Sequence, residues 1–405
     1  MNKIQTVEKL VLLHSSRNDE QLRIERRERW HDLRPQSATL VIENRCHLKC
    51  DHCYEDDDSH PRKYDALSPQ EYDGLFAQLQ EMGVLKLTVT GGEVFLRKDL
   101  FEILEYAAKR RFYIELYTSG TLVDEVKAAQ LKEFVHEVHI SIYGANAEMH
   151  DGFTKGKGSF EKSVNALRLC KEQGLHTVMK SNIMTFNVDS LDDMMDLAES
   201  LGARFSFDPS IRARMSGDEY PLSYQVSKVD LATKVYNHPR LVAHFRQNSA
   251  ESLCDGHSLH DEKNVICSAA VNGLSVGAAG EVAGCNFFSS NIGSVREQSL
   301  LDLWLESEDF DRIRKARFTT LSKCNGCDVR AGCQPCMAQA EIDEGDMMGC
   351  NTASRALAEG FMDMAQRRVK ANKKLVVKKR SQGLLQIVGD KTFVPIEPGG
   401  TLSFD

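Results

Sequence analysis

The cysteines constrain this chain more than any other feature. Ten of the twelve fall into two spacing patterns. The first is Cys46, Cys50 and Cys53, a C-x3-C-x2-C triplet just after the apolar run Ala38 to Ile42. The second is a late array: Cys267 and Cys285, then Cys324, Cys327, Cys333 and Cys336 as C-x2-C-x5-C-x2-C, closed by Cys350. Three thiolates holding a cluster leave one iron without a protein ligand, and that open position can take a substrate or cofactor. The late array has enough ligands for more metal. Such a chain handles electrons.

The 405 residues suffice for a large domain plus one or two small ones. Hydrophobic residues make up 41% and charged residues 27%, the balance of a soluble globular protein. No apolar run approaches the length of a membrane span, and the N-terminal stretch does not read as a signal peptide. The expected compartment is the cytoplasm, where paired cysteines point to metal or redox chemistry rather than disulfides. A net charge of −8 speaks against broad nucleic-acid binding, and with it against RNA modification.

From Ala38 to Pro209 short β-rich runs alternate with amphipathic helical stretches. The strand candidates start at Ala38, Leu85, Phe112, Glu137, His176 and Ala203; helices are expected over 69–82, 99–110, 160–173 and 191–201. Ser68, Pro69 and Glu71 form a capping-box signature at the first of these. Six such units predict an α/β fold with a parallel sheet, a partial (β/α)6 TIM-like barrel over 38–210. That span is shorter than the roughly 250 residues of a closed eight-unit barrel. Around it we expect an N-terminal helical segment (1–37), a bridge (211–260), a small cysteine-rich iron–sulfur domain (261–352) and a tail (353–405). The tail reads as a helix to about Val369, then a basic run and a β-hairpin-like end. The cysteine-rich part looks too small to fold on apolar burial alone, so metal would supply much of its stability.

A zinc site is the alternative for the triplet, with His47, His52 or His60 as fourth ligand. Position favours an iron–sulfur cluster, because the triplet lies on the loop after the first strand, where α/β barrels place catalytic groups. Together with Gly91-Gly92-Glu93 after the second strand, the triplet resembles the radical S-adenosylmethionine (SAM) superfamily. The resemblance implies a [4Fe–4S] cluster whose open iron chelates SAM. It assigns Gly91, Gly92 and Glu93 to the SAM amino group, the glycines allowing backbone approach and the carboxylate accepting from the ammonium. Ser141 resembles a SAM-contacting position, and Lys180 could meet the SAM carboxylate in place of an arginine that relatives carry where this chain has Thr154. His52 stands where an aromatic residue is often found, with Tyr54 after Cys53, and Val94 replaces a proline.

The late array resembles the SPASM extension of the same superfamily, which holds two auxiliary [4Fe–4S] clusters; paired zinc sites are the rival. By that resemblance Cys267, Cys285 and Cys336 hold an inner cluster, and Cys324, Cys327, Cys333 and Cys350 an outer one. Two full sets need eight ligands and the array supplies seven, so Cys254 is the candidate to complete the inner cluster, while Cys170 reads as a core thiol. His136, His139 and His150 read as structural. Glu55 to Asp58 read as a solvated turn, and the basic run near residue 375 as a solvated face or a docking site.

The implied activity is reductive cleavage of SAM to a 5′-deoxyadenosyl radical that abstracts hydrogen from a ribosomally made precursor peptide, leaving a thioether, carbon–carbon or related crosslink. A flavodoxin- or ferredoxin-type electron donor is implied, and so is a separate peptide-recognition protein, since only residues 1–37 precede the barrel. The sulfatase-maturing branch carries an aspartate right after the second array cysteine, where this chain has Asn286; that activity is the alternative. A cluster-bearing electron-transfer protein is the alternative from another class, and it has no need of Gly91-Gly92-Glu93.

Overall fold

Alternation of large apolar and small or polar residues along the first strand, β1 (Ser37–Glu43), sets the plan of the whole molecule. Ala38, Leu40 and Ile42 are buried on one face, and Thr39 and Val41 point to the other. The computed structural model describes residues 33–56, 65–241 and 265–371, with two short strands at 378–379 and 385–386 that pair with each other. The chain continues through α1 (Pro69–Glu81), β2 (Lys86–Gly91), α2 (Leu100–Lys109), β3 (Tyr113–Thr118), α3 (Glu125–Phe134), β4 (Glu137–Ser141), α4 (Ala147–Thr154), α5 (Ser159–Glu172), β5 (His176–Asn182), α6 (Leu191–Ser200) and β6 (Arg204–Asp208). The six strands pair in parallel in sequence order, so the expected six-unit half-barrel is what the chain builds.

Local signals explain much of this. At α1 the Ser68 hydroxyl accepts from the Glu71 amide at 3.3 Å, and the Glu71 carboxylate accepts from the Ser68 amide at 2.7 Å, closing the capping box. Helices α3 and α4 escaped the sequence reading. In α3 only Ala128 and Leu131 are buried, too weak a stripe to stand out.

The sheet does not end at β1. A seventh strand, β7 (Gly273–Val276), pairs in parallel with it, and β8 (Glu281–Ala283) and β9 (Gly293–Ser294) follow antiparallel, giving nine strands in the order β6-β5-β4-β3-β2-β1-β7-β8-β9. Helices α7 (Leu300–Glu306), α8 (Glu308–Lys315), α9 (Met337–Glu344) and α10 (Thr352–Ala371) complete the described part. One hydrophobic cluster runs from Leu40 and Leu87 through Leu274 and Val282 to Trp304 and Phe310. The core is continuous across this edge: strand pairing at β1 lets β7 to α8 share apolar burial with the barrel.

Residues 228–236 of the expected bridge lie against α10. Tyr236 and Phe361 meet edge-on at 5.6 Å, and a Cβ on Gly360 would stand 2.6 Å from that of Leu231, so the glycine sets the close approach. The expected N-terminal helix, the rest of the bridge and most of the tail beyond 371 lie outside the described residues.

Candidate metal and cofactor centres

At the C-terminal end of β1 the register against β2 shifts between Val41 and Glu43, and this irregularity turns the chain into the triplet loop. The loop is pinned on several sides. The Lys49 amide donates to the Thr154 carbonyl at 3.0 Å, Lys155 pairs with Asp51 at 2.7 Å, and the Tyr224 hydroxyl donates to Asp51 at 2.9 Å. Cys50 and Cys53 close a turn through their backbones at 3.0 Å. Burial, and then the neighbouring thiols Cys53 and Cys46, push the Cys50 thiol far up; burial pushes Cys53 up to about 11. Two thiols that burial and mutual repulsion keep from ionising alone, Cys50 and Cys53, beside a third, exposed one, Cys46, fit a group whose positive charge stabilises the thiolates together. The donor set suits an iron–sulfur cluster.

Beside this loop, Gly91 and Gly92 are where backbone meets backbone. A Cβ on Gly91 would sit far inside contact distance of the Glu43 carbonyl oxygen, and one on Gly92 would collide with the Arg45 carbonyl. The absent side chains let the Gly92 amide donate to Glu43 at 2.7 Å and the Glu93 amide to Arg45 at 2.9 Å, stitching the end of β2 to the start of the triplet loop. Glu93 itself is fully buried. Its carboxylate accepts from the Thr118 hydroxyl at 2.6 Å, the Ser119 amide at 2.9 Å, the Phe95 amide at 3.2 Å and the Ser119 hydroxyl. Thr121 joins this network, 2.9 Å from the Ser119 hydroxyl and 2.6 Å from the His47 ring, so His47 belongs to it too.

Ser141 and Lys180 are brought side by side, paired in register on β4 and β5. Lys180 holds its ammonium 4.3 Å from the Tyr117 ring centroid, and burial, followed by the nearby Arg212 charge among the lowering influences, depresses its pKa. Behind Ser141 stands Tyr143, which packs on His52 at 4.6 Å and on Phe153 at 5.2 Å. His52 is thus an aromatic wall of the triplet loop, kept neutral by burial with its pKa near 4.

The late cysteines form two groups. Burial and then Cys336 raise the Cys285 thiol to about 12, with Cys267 adding to it; Cys267 is likewise raised by burial and by Cys336. Burial and then Cys324, Cys350 and Cys327 raise Cys333 to about 12. So Cys267, Cys285 and Cys336 neighbour one another, and Cys324, Cys327, Cys333 and Cys350 make a second set. Cys254 lies outside the described residues. Cys170 is buried in the hydrophobic core, apart from both sets.

One link escaped the sequence reading. The Asn286 side-chain amide donates to the Tyr54 hydroxyl at 3.2 Å, and Tyr54 packs edge-on against Phe287 at 5.0 Å. The residue after Cys53 therefore touches the residue after Cys285, joining the triplet loop to the inner set. Only the adjacency of each to a cysteine hinted at this.

Residues 40–201 match the Radical SAM superfamily, and residues 267–328 match SPASM, an iron–sulfur cluster-binding domain. The chain belongs to the radical SAM superfamily and carries a SPASM domain. It is an enzyme of this type, with [4Fe–4S] clusters and SAM as its cofactors. Similar proteins include the AdoMet-dependent heme synthase of Oleidesulfovibrio alaskensis, 26% identical over 75% of this chain and 82% of that one. The mycofactocin maturase MftC of Mycolicibacterium smegmatis is 28% identical over 75% of this chain and 78% of its own length. Among solved structures, Streptococcus suis SuiB bound to precursor peptide SuiA superposes with a TM-score of 0.64 at 15% identity, over 87% of this chain and 86% of that one. That likeness concerns the radical SAM and SPASM fold. Among the described residues no helix is long and apolar enough to cross a membrane.

Proposed function

We propose that this radical SAM enzyme modifies a ribosomally made peptide and carries three [4Fe–4S] clusters. Cys46, Cys50 and Cys53 hold the first, which leaves an iron for SAM. Cys267, Cys285 and Cys336 hold the inner auxiliary cluster, with Cys254 the candidate fourth ligand, and Cys324, Cys327, Cys333 and Cys350 hold the outer one. SAM, once bound, supplies the hydrogen-abstracting radical, and the chain's own residues fix its geometry. Gly91 and Gly92 bring the β2 backbone to the SAM amino group, with Glu93 fixing the neighbouring strand end through Thr118 and Ser119. Ser141 and Lys180 face the SAM carboxylate from β4 and β5.

The observation that carries this reading is the Tyr54–Asn286 contact, which sets the triplet loop directly against the inner cysteine set. A substrate held there would lie between the radical source and a cluster able to take an electron back. Asn286 also argues against formylglycine formation, since its amide, already bonded to Tyr54, offers no carboxylate base. An acidic flavodoxin or ferredoxin would reduce the clusters in the cytoplasm, and a separate protein would present the peptide.

Anaerobically reconstituted protein with dithionite and SAM should release 5′-deoxyadenosine and contain about twelve irons per chain. Release no greater than from a Cys50→Ala control would end the radical reading, and about four irons would end the three-cluster one. Similarity to the heme synthase supports a second reading, a tetrapyrrole substrate. Incubation with short peptides encoded next to the gene separates the two: a mass change in a peptide supports the first, heme formation from a tetrapyrrole precursor the second.

A further inference from the structure

The half-barrel's inner face is polar, and one group on it has no part in the site above. Glu115 on β3 stands in register with Glu137 on β4, and His139 lies two residues farther along β4 on the same face. One ligand-capable atom from each of the three lies within 4.8 Å of the others. His139 is only 6% exposed, and its Nδ1 has no hydrogen-bond partner; its Nε2 sits 2.6 Å from a Glu137 oxygen, off the line of a straight hydrogen bond. The ring is stacked on Tyr117 at 4.3 Å, which fixes its plane. Burial depresses its pKa, so the imidazole is neutral and its lone pair is available at neutral pH.

A buried imidazole with an unpartnered Nδ1 and its Nε2 against Glu137, grouped with a second carboxylate, is a donor set seeking a cation. We propose that Glu115, Glu137 and His139 bind one divalent transition-metal ion of the manganese or ferrous type on the inner face of the barrel. Two hard carboxylate oxygens and one imidazole suit these ions better than the thiolate-loving ones that the cysteine sets would compete for. The charge balance permits it. Glu115 is now matched by Lys86 at 3.3 and 3.4 Å, and Glu137 by Arg204 at 2.7 Å. Both partners are long side chains reaching in from solvent, 45% and 60% exposed, so an ion can displace them outward and meet two uncompensated negative charges. Thr88, 3.3 Å from Glu115, would stay behind to orient that carboxylate. An ion there would tie β3 to β4 just below Ser141, two residues beyond His139 on the same strand face. The inference stands apart from the peptide reading.

The test is an anaerobic titration of the full chain, its clusters reconstituted so that the cysteines are occupied, with manganese(II) alone, followed by electron paramagnetic resonance of the free ion. One manganese per chain is expected. His139→Gln and Glu115→Gln should each weaken binding at least tenfold, whereas Lys86→Met and Arg204→Met should tighten it severalfold by removing the competing cations. The opposite signs keep the test independent of misfolding, which could only weaken binding. No bound manganese, or binding that His139→Gln and Lys86→Met leave unchanged as for an adventitious surface ion, would overturn the site.

Discussion

The triplet loop and the outer cysteine block hold the same kind of ligand on opposite kinds of scaffold. The triplet springs from a seven-residue strand whose Leu40 and Ile42 are fully buried and which is paired on both sides, by β2 and β7. The outer block is a chain of tight turns instead. Successive amides of Cys324, Cys327, Arg330 and Cys333 each donate to a carbonyl three residues back, at 3.2 to 3.4 Å, and from Leu321 to Cys333 only Leu321 and Val329 are buried. One site borrows its rigidity from a core, and the other has to obtain it from its metal.

The sharpest way to break that comparison is to take the iron away. Chelation under reducing conditions should abolish amide-exchange protection across 321–350 while β1 to β6 stay protected; equal loss in both would show the barrel loop to be as metal-dependent as the block. Next in size is Gly92→Ala. Its Cβ would collide with the Arg45 carbonyl, which only a backbone shift relieves, at about 1–3 kcal/mol as for other overpacked sites. We expect a lower denaturation midpoint together with iron lost from the triplet alone, counted against the cluster content of the block.

Glu93→Gln should cost about 1–3 kcal/mol, because an amide cannot accept from Thr118 and Ser119 as the carboxylate does. Isothermal titration should show weaker SAM binding, and an unaltered affinity would divorce Glu93 from that site. Smallest is Ser68→Ala, about 1 kcal/mol for a lost helix cap, seen as a lower thermal midpoint of the barrel with cluster content unchanged.

Much of the barrel was legible because its signals are local. Strand alternation, the Ser68–Glu71 box and the placement of the triplet after β1 all act within a few residues. Helix α3 was missed because its apolar stripe is thin. His139 read as structural; that it neighbours Glu115 on β3, far off in sequence, came from strand order. Glu93 is expected to face a ligand's ammonium; that its oxygens also accept from Thr118 and Ser119 depends on strand order.

The sequence by itself determined the ligand types, the spacing that lets three thiols share one loop, and the alternation that makes six parallel strands. Tertiary structure alone decided that β7 completes the barrel's edge rather than founding a core of its own, and that Tyr54 reaches Asn286. The physical reason is range. Capping and periodicity act within a turn or two of the chain, whereas pairing Cys267 with Cys336 or Glu115 with His139 depends on how a shared core packs the strands that carry them.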